Sequence, residues 1–96
     1  MIQAKPLLKQ RYNLSAARFV DVVVWELPVK LPGSHHLLKY RLAFIVDGVC
    51  VLRYDNEAGK GDHKHIGNSE VPYHFIDMDK LLDDFWCDVE NWSRKL

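Results

Sequence analysis

Apolar positions along this chain fall first in short alternating or continuous runs and then, near the end, in a helical stripe. Residues 19–27 (FVDVVVWEL) are β-branched and aromatic, too short for an ordinary helix, and closed by Pro28 and the turn-forming Pro32-Gly33-Ser34. They predict a strand buried over most of both faces. Residues 37–46 (LLKYRLAFIV) put Leu38, Tyr40, Leu42, Phe44 and Val46 on one side, with Lys39, Arg41, Ala43 and Ile45 on the other. Asp47-Gly48 follows, and an Asp-Gly pair between two apolar runs signals a type I′ hairpin, whose central residues both need positive φ. A two-residue loop then predicts the register. Val46 is expected opposite Val49, Phe44 opposite Val51, Leu42 opposite Arg53 and Tyr40 opposite Asp55 on one face. The other face pairs Ile45 with Cys50, Ala43 with Leu52, Arg41 with Tyr54 and Lys39 with Asn56.

Residues 6–13 (PLLKQRYN) predict a first strand with Pro6 at its start or on an edge, and Val71-Pro72-Tyr73-His74-Phe75 predicts a short extended piece, also at an edge. From Met78 the apolar residues recur at helical spacing through Leu81, Leu82, Phe85, Trp86, Val89 and Trp92, with Asp79, Asp83, Asp84, Asp88 and Glu90 between them. Asp77 is the expected N-cap. Asp79 suits the positive end of the helix dipole, and Arg94 and Lys95 suit the negative end. The stripe of Leu81, Leu82, Phe85, Val89 and Trp92 needs an apolar partner, and the Leu38-Leu42-Phe44-Val51 face of the hairpin supplies one. The expected fold is α+β: an antiparallel β-meander of four or five strands with one C-terminal α-helix packed on one face.

Ninety-six residues, 48% hydrophobic and 27% charged, suit one domain spanning 1–96, near the small end of what a single core supports. No apolar run approaches the roughly 20 residues of a membrane helix, and MIQAKPLLKQRYN lacks the apolar centre of a secretion signal, so a cytoplasmic protein is expected. Cys50 and Cys87 have no neighbouring cysteine and are expected to be buried thiols rather than ligands. Net charge is zero, yet residues 1–54 carry +5 and residues 55–96 carry −5. That asymmetry marks either a basic surface for a polyanion or two surfaces that complement each other within the fold.

The segment Tyr54–Gly67 (YDNEAGKGDHKHIG) holds three glycines, three carboxylates, two histidines and two lysines, and little that would pack a core. It is expected to be the functional loop. His63 and His65 are two apart, so in an extended backbone both imidazoles project the same way. One can take the proton of an RNA 2′-hydroxyl while the other, protonated, supplies the leaving oxygen. Lys60, Lys64 and Arg41 would hold the phosphate. Lys39, Arg41, Tyr54 and Asn56, gathered at one end of the sheet, read either as an anion platform or as an ordinary solvated face. A second use of the loop is metal binding, with H-x-H joined by Asp55, Glu57 or Asp62; a third is a purely structural, hydrogen-bonded loop. Gly59-x-Gly61 can turn backbone N–H groups toward an anion, but Gly-Lys-Gly-Asp leads into neither Ser/Thr nor a helix, which argues against nucleotide hydrolysis. His35 and His36 are expected in a solvated connection, and Trp25 and Trp86 in the core.

The run Tyr54-Asp55-Asn56-Glu57-x-Gly59-Lys60-Gly61-Asp62-His63-x-His65-x-Gly67, then Pro72-Tyr73-x-Phe75 and Leu81-Leu82-x-Asp84-Phe85, resembles the TumE family of small bacterial toxin-antitoxin proteins. The likeness extends upstream through Trp25-x-Leu27-Pro28, Tyr40-Arg41-Leu42 and Val46-Asp47-Gly48, and so covers most of the chain. It implies a toxin that inhibits growth until bound by a cognate helix-turn-helix antitoxin. It assigns no catalytic residue and implies no cofactor.

Three functions therefore compete. The first is a metal-independent endoribonuclease toxin, with His63, His65, Lys60 and Tyr54 as catalytic groups and Arg41, Lys39, Asn56 and Lys64 holding RNA phosphate. In it Asp55, Glu57, Gly59, Gly61, Asp62 and Gly67 shape the loop. The second is a non-catalytic module that blocks a ribosome, replication protein or other partner; the third is a metal-dependent hydrolase. The acidic helix face reads either as a solvated surface or as a dock for a basic antitoxin segment.

Overall fold

A computed structural model describes residues 3–94; Lys95, expected at the end of the helix, lies outside the described residues. Six antiparallel strands follow one another in space as in sequence: β1 (Lys5–Ser15), β2 (Arg18–Glu26), β3 (Leu38–Val46), β4 (Val49–Glu57), β5 (Gly61–Ile66) and β6 (Ser69–Pro72). The helix α1 (Met78–Arg94) then crosses one face over β4. The expected class and helix position hold, but four or five strands undercounts the six: β5 lies inside the segment read as a loop, and β6 overlaps the extended piece expected at 71–75. Among the described residues, no helix is long and apolar enough to cross a membrane.

The Asp47-Gly48 turn forms as expected, with φ of 51° and 78°. Val46 faces Val49 and Ile45 faces Cys50, but Phe44 then faces Leu52, because Val51 is left over in a β-bulge. Beyond it the expected register is wrong by one residue: Ala43 faces Arg53, Leu42 faces Tyr54 and Arg41 faces Asp55. The physical reason lies in what each register would bury. Without the bulge, Arg53 and Asp55 would sit under the helix while Leu52 and Tyr54 stood on the far face. Desolvating such a pair costs several kcal/mol per ion, while each large apolar side chain left in water forfeits about 1.5–3 kcal/mol. The extra residue avoids both costs.

The core lies between α1 and the covered face. Val20, Val22 and Val24 from β2, Tyr40, Leu42 and Phe44 from β3, and Leu52 and Tyr54 from β4 meet Leu81, Phe85 and Val89 of the helix. Leu38 and Val51, expected as central partners of the helix, are only partly buried at its margin. Asp77 caps the helix: its Oδ1 accepts from the N–H of Lys80 at 2.8 Å. Asp77→Ala should lower the unfolding free energy by about 1 kcal/mol, read from chemical denaturation, without changing the helix content of the folded state.

Two expectations about packing fail. Cys50 and Cys87 are exposed free thiols rather than buried ones, since Cys50 stands beside the hairpin turn and Cys87 on the outward side of the helix. Trp25 belongs neither to the core nor to the side chains packed against it, unlike Trp86 and Trp92. The alternation of β2 sends Val22 and Val24 to the helix and Trp25 to the opposite face, where it is half-buried.

Candidate functional site on the open face

The segment expected to be a loop is a β-hairpin. Its residues 54–57 complete β4, residues 58–60 turn, and β5 runs back from Gly61, pairing Asp55 with His63 and Arg53 with His65. Gly67-Asn68 then turns the chain into β6, which sets Glu70 beside His65. A Gly-Asn pair is itself a hairpin signal, so Glu70 was findable from the sequence.

The register lays two lines of side chains across the face away from the helix. One runs Arg11, Asp21, Ala43, Arg53, His65 and Glu70; the next runs Lys9, Val23, Arg41, Asp55, His63 and Pro72. His63 and His65 project the same way, as the two-residue spacing requires of a strand. Both converge on Glu70: His63 Nδ1 lies 3.5 Å from its Oε1 and His65 Nδ1 3.8 Å from its Oε2. Lys60 Nζ donates to Glu70 Oε1 at 2.9 Å. That lysine, with help from the two histidines, holds the Glu70 carboxyl below its usual range. Lys60→Met should return the Glu70 titration toward the ordinary carboxylate range, which an NMR titration of the side-chain carboxyl would read.

Hydrogen bonding sets the tautomers. The carbonyl of Lys60 accepts from His63 Nε2 at 2.6 Å, so that nitrogen carries a proton, while Nδ1 is buried with no hydrogen-bond partner. A proton on Nδ1 would point it at Glu70. His65 Nε2 lies 3.1 Å from Arg53 Nη2, and since a guanidinium can only donate, this nitrogen is the acceptor. Arg53 Nε sits 3.0 Å from Asp55 Oδ2 but out of line for a hydrogen bond, so that contact is an ion pair only.

The bulge separates the remaining expected site residues. Tyr54 is on the helix side, 1% exposed, with its hydroxyl donating to Asp88. Burial first, then that carboxylate, push the phenol's pKa far upward, which leaves it a structural anchor rather than a proton-transfer group on the histidine face. Asn56, also 1% exposed, continues the β3–β4 ladder with its side chain: Oδ1 accepts from Tyr40 N at 3.0 Å and Nδ2 donates to Leu38 O at 2.7 Å. Lys64 reaches Asp88 at 3.4 Å on the helix side. Tyr54 and Asn56 thus leave the expected platform, of which only Lys39 and Arg41 share the histidines' face, and Lys64 leaves the set expected to hold phosphate. Lys39 is spent on the carbonyl of Asn56. Arg41 leans toward β2, where it follows Arg11 as a lesser cause of the lowered Asp21 pKa.

Of the carboxylates weighed as metal ligands, Asp55 stays beside the histidines, its Oδ1 3.5 Å from His65 Nε2 and its Oδ2 paired with Arg53, whereas Glu57 is exposed at the strand end and Asp62 points to the helix side. Among the described residues, no three His, Cys, Asp or Glu side chains come together as a metal site.

Asp62 instead organises a buried network that makes His36 something other than a solvated loop residue. Its carboxylate accepts from Tyr40 OH at 2.6 Å and from His36 Nε2 at 2.9 Å, with the His36 and Asp62 side chains 9% and 6% exposed. The N–H of Leu38 donates to His36 Nδ1 at 3.1 Å, which puts the imidazole proton on Nε2. Phe75 stacks on the His36 ring, centroids 3.8 Å apart. Gly59 N–H donates to Pro32 O at 2.6 Å, so the 28–36 connection grips the hairpin tip as well. Gly59, Gly61 and Gly67 all have positive φ, the left-handed region that favours glycine.

A family model described as Toxin TumE matches residues 3–93. No curated protein and no solved structure matches the chain.

Proposed function

Because the chain belongs to the TumE toxin family, we propose that it is the toxin of a type II toxin-antitoxin pair and arrests growth by cutting RNA, without a metal, on the open face of its sheet. The observation that carries this reading is the convergence of His63 and His65 on Glu70, with Lys60 and Arg53 beside them. In the proposed step His65 Nε2 takes the proton of a ribose 2′-hydroxyl, and the 2′-oxygen attacks phosphorus. The bond from phosphorus to the 5′-oxygen breaks, and His63, protonated and held at Nδ1 by Glu70, turns its Nε2 proton from the Lys60 carbonyl to that oxygen. A 2′,3′-cyclic phosphate and a free 5′-hydroxyl result. Arg53 moves from His65 to the phosphate, which frees Nε2 and supplies charge to the transition state; Lys60 adds to it.

A toxin family implies an antitoxin partner, and the resemblance suggests one with a helix-turn-helix domain. Growth on induction with and without the neighbouring gene, and RNA cleavage by purified wild type and the double histidine variant, test the reading. A second reading, a non-catalytic module that blocks a cellular partner, draws on one observation: His63 Nε2 and His65 Nε2 are already engaged by Lys60 and Arg53 within the protein. It expects growth arrest to survive loss of both imidazoles.

A further inference from the structure

We infer that Trp25 and the cationic depression beside it form a binding subsite for single-stranded RNA: one base stacks on the indole while Lys9 and Arg41 hold the adjoining backbone. The subsite rests on the reading of this face as RNA-directed and extends it to a region away from the histidines. Trp25 is half-buried on the open face, outside the core cluster and its packed margin, with Lys39 opposite it on β3 and Pro6 opposite it on β1. Part of the indole reaches solvent, and among the described residues it takes part in no aromatic or cation–π pair.

Next to it lies a cavity of about 450 Å³ lined by Lys9, Arg11, Asp21, Val23 and Arg41. Arg11 is committed to Asp21 through a two-pronged contact at 2.7 and 2.9 Å. Lys9 and Arg41 form no ion pair among the described residues, face each other across Val23, and share the open face with Trp25. Arg41 is the diagonal neighbour of Trp25, about 7–8 Å away. Cations that track a backbone beside an aromatic plane are the combination by which proteins hold single strands without reading sequence. A purely acidic peptide would satisfy the cations but would have no use for the ring. From β2 to β5 is three strand spacings, about 14 Å, a gap that a short oligonucleotide bridges to reach His63 and His65.

The test uses the full chain and a fluorescein-labelled, uniformly 2′-O-methylated RNA 12-mer, which binds but cannot be cut through a 2′-hydroxyl, with affinity read by anisotropy. Trp25→Ala should weaken binding about fivefold to a hundredfold, the range supplied by stacking one base. Trp25→Phe should stay within about threefold of wild type, and Lys9→Ala with Arg41→Ala should weaken binding and flatten its salt dependence. Wild-type affinity in Trp25→Ala, with its fold checked by circular dichroism, overturns the subsite even if natural RNA is still cut. Tight, Trp25-dependent binding by a protein that cuts no RNA keeps the subsite and removes the cleavage mechanism. No binding by wild type, or loss in Trp25→Ala of antitoxin binding alone, overturns it.

Discussion

The variant carrying both His63→Ala and His65→Ala is expected to lose RNA cleavage by a factor of about 10² to 10⁴, the usual worth of positioned general acid–base groups, and to lose growth arrest with it. Its fold should survive. The imidazoles are 19% and 24% exposed and stand on the face away from the helix, so no core contact is removed. The bonds from His63 to the Lys60 carbonyl and from Arg53 to His65 go, at a cost of about 0.5–1.5 kcal/mol each. The Nδ1 atom that lacks a hydrogen-bond partner disappears as well, which offsets part of that cost. A loss of activity by orders of magnitude beside a small stability change separates chemistry from folding. Single variants add a directional check, because loss of the base and loss of the acid should remove opposite limbs of the pH–rate profile. Undiminished growth arrest in the well-folded double variant would remove the cleavage mechanism and favour the binding module.

Elements with an apolar rhythm were legible in the sequence, and so was the exposed first strand β1, expected over 6–13; β5 was not. β2, β3 and α1 emerge from residue pattern because each sends large side chains to the core at its own period. β5 was hidden because Asp62 and Lys64 face the helix side while His63 and His65 face out, so both of its faces are polar and neither carries a hydrophobic beat. Its pairing is enforced instead by the Asp62 network and by the neighbouring strands. The bulge at Val51 mattered more than its size suggests. One extra residue exchanged the faces of every side chain beyond it on β4, which moved Tyr54 and Asn56 into the core and brought Arg53 and Asp55 to the histidines. Nothing in the Asp-Gly turn signals it, although the need to bury Leu52 and Tyr54 rather than Arg53 and Asp55 would have argued for it. The histidine pair was found from spacing alone and Glu70 was within reach of the Gly67-Asn68 turn signal, while Arg53 and Trp25 needed the sheet's register to be seen beside or across from it.

Asp62→Ala is expected to lower the unfolding free energy by about 2–6 kcal/mol, the largest stability effect of any substitution considered for this chain. The carboxylate accepts from two donors at once, the Tyr40 hydroxyl and His36 Nε2, in a place where neither donor reaches water easily. Each buried donor left without a partner costs about 1–3 kcal/mol. The His36 ring cannot relieve its loss by shifting the proton to Nδ1, because that nitrogen already accepts from Leu38 N–H. Nor can it swing out without leaving the face of Phe75. The effect should reach the site. Asp62 lies next to His63 in β5, so loosening its anchor frees the strand that carries both imidazoles. Tyr40→Phe serves as the matched comparison: it keeps the aromatic ring in place and removes only one of the two donors to Asp62, so its cost should be less than half that of Asp62→Ala. Urea denaturation followed by circular dichroism measures both. A change under about 0.5 kcal/mol for Asp62→Ala, within the range of ordinary surface substitutions, would show that the carboxylate does not anchor the hairpin.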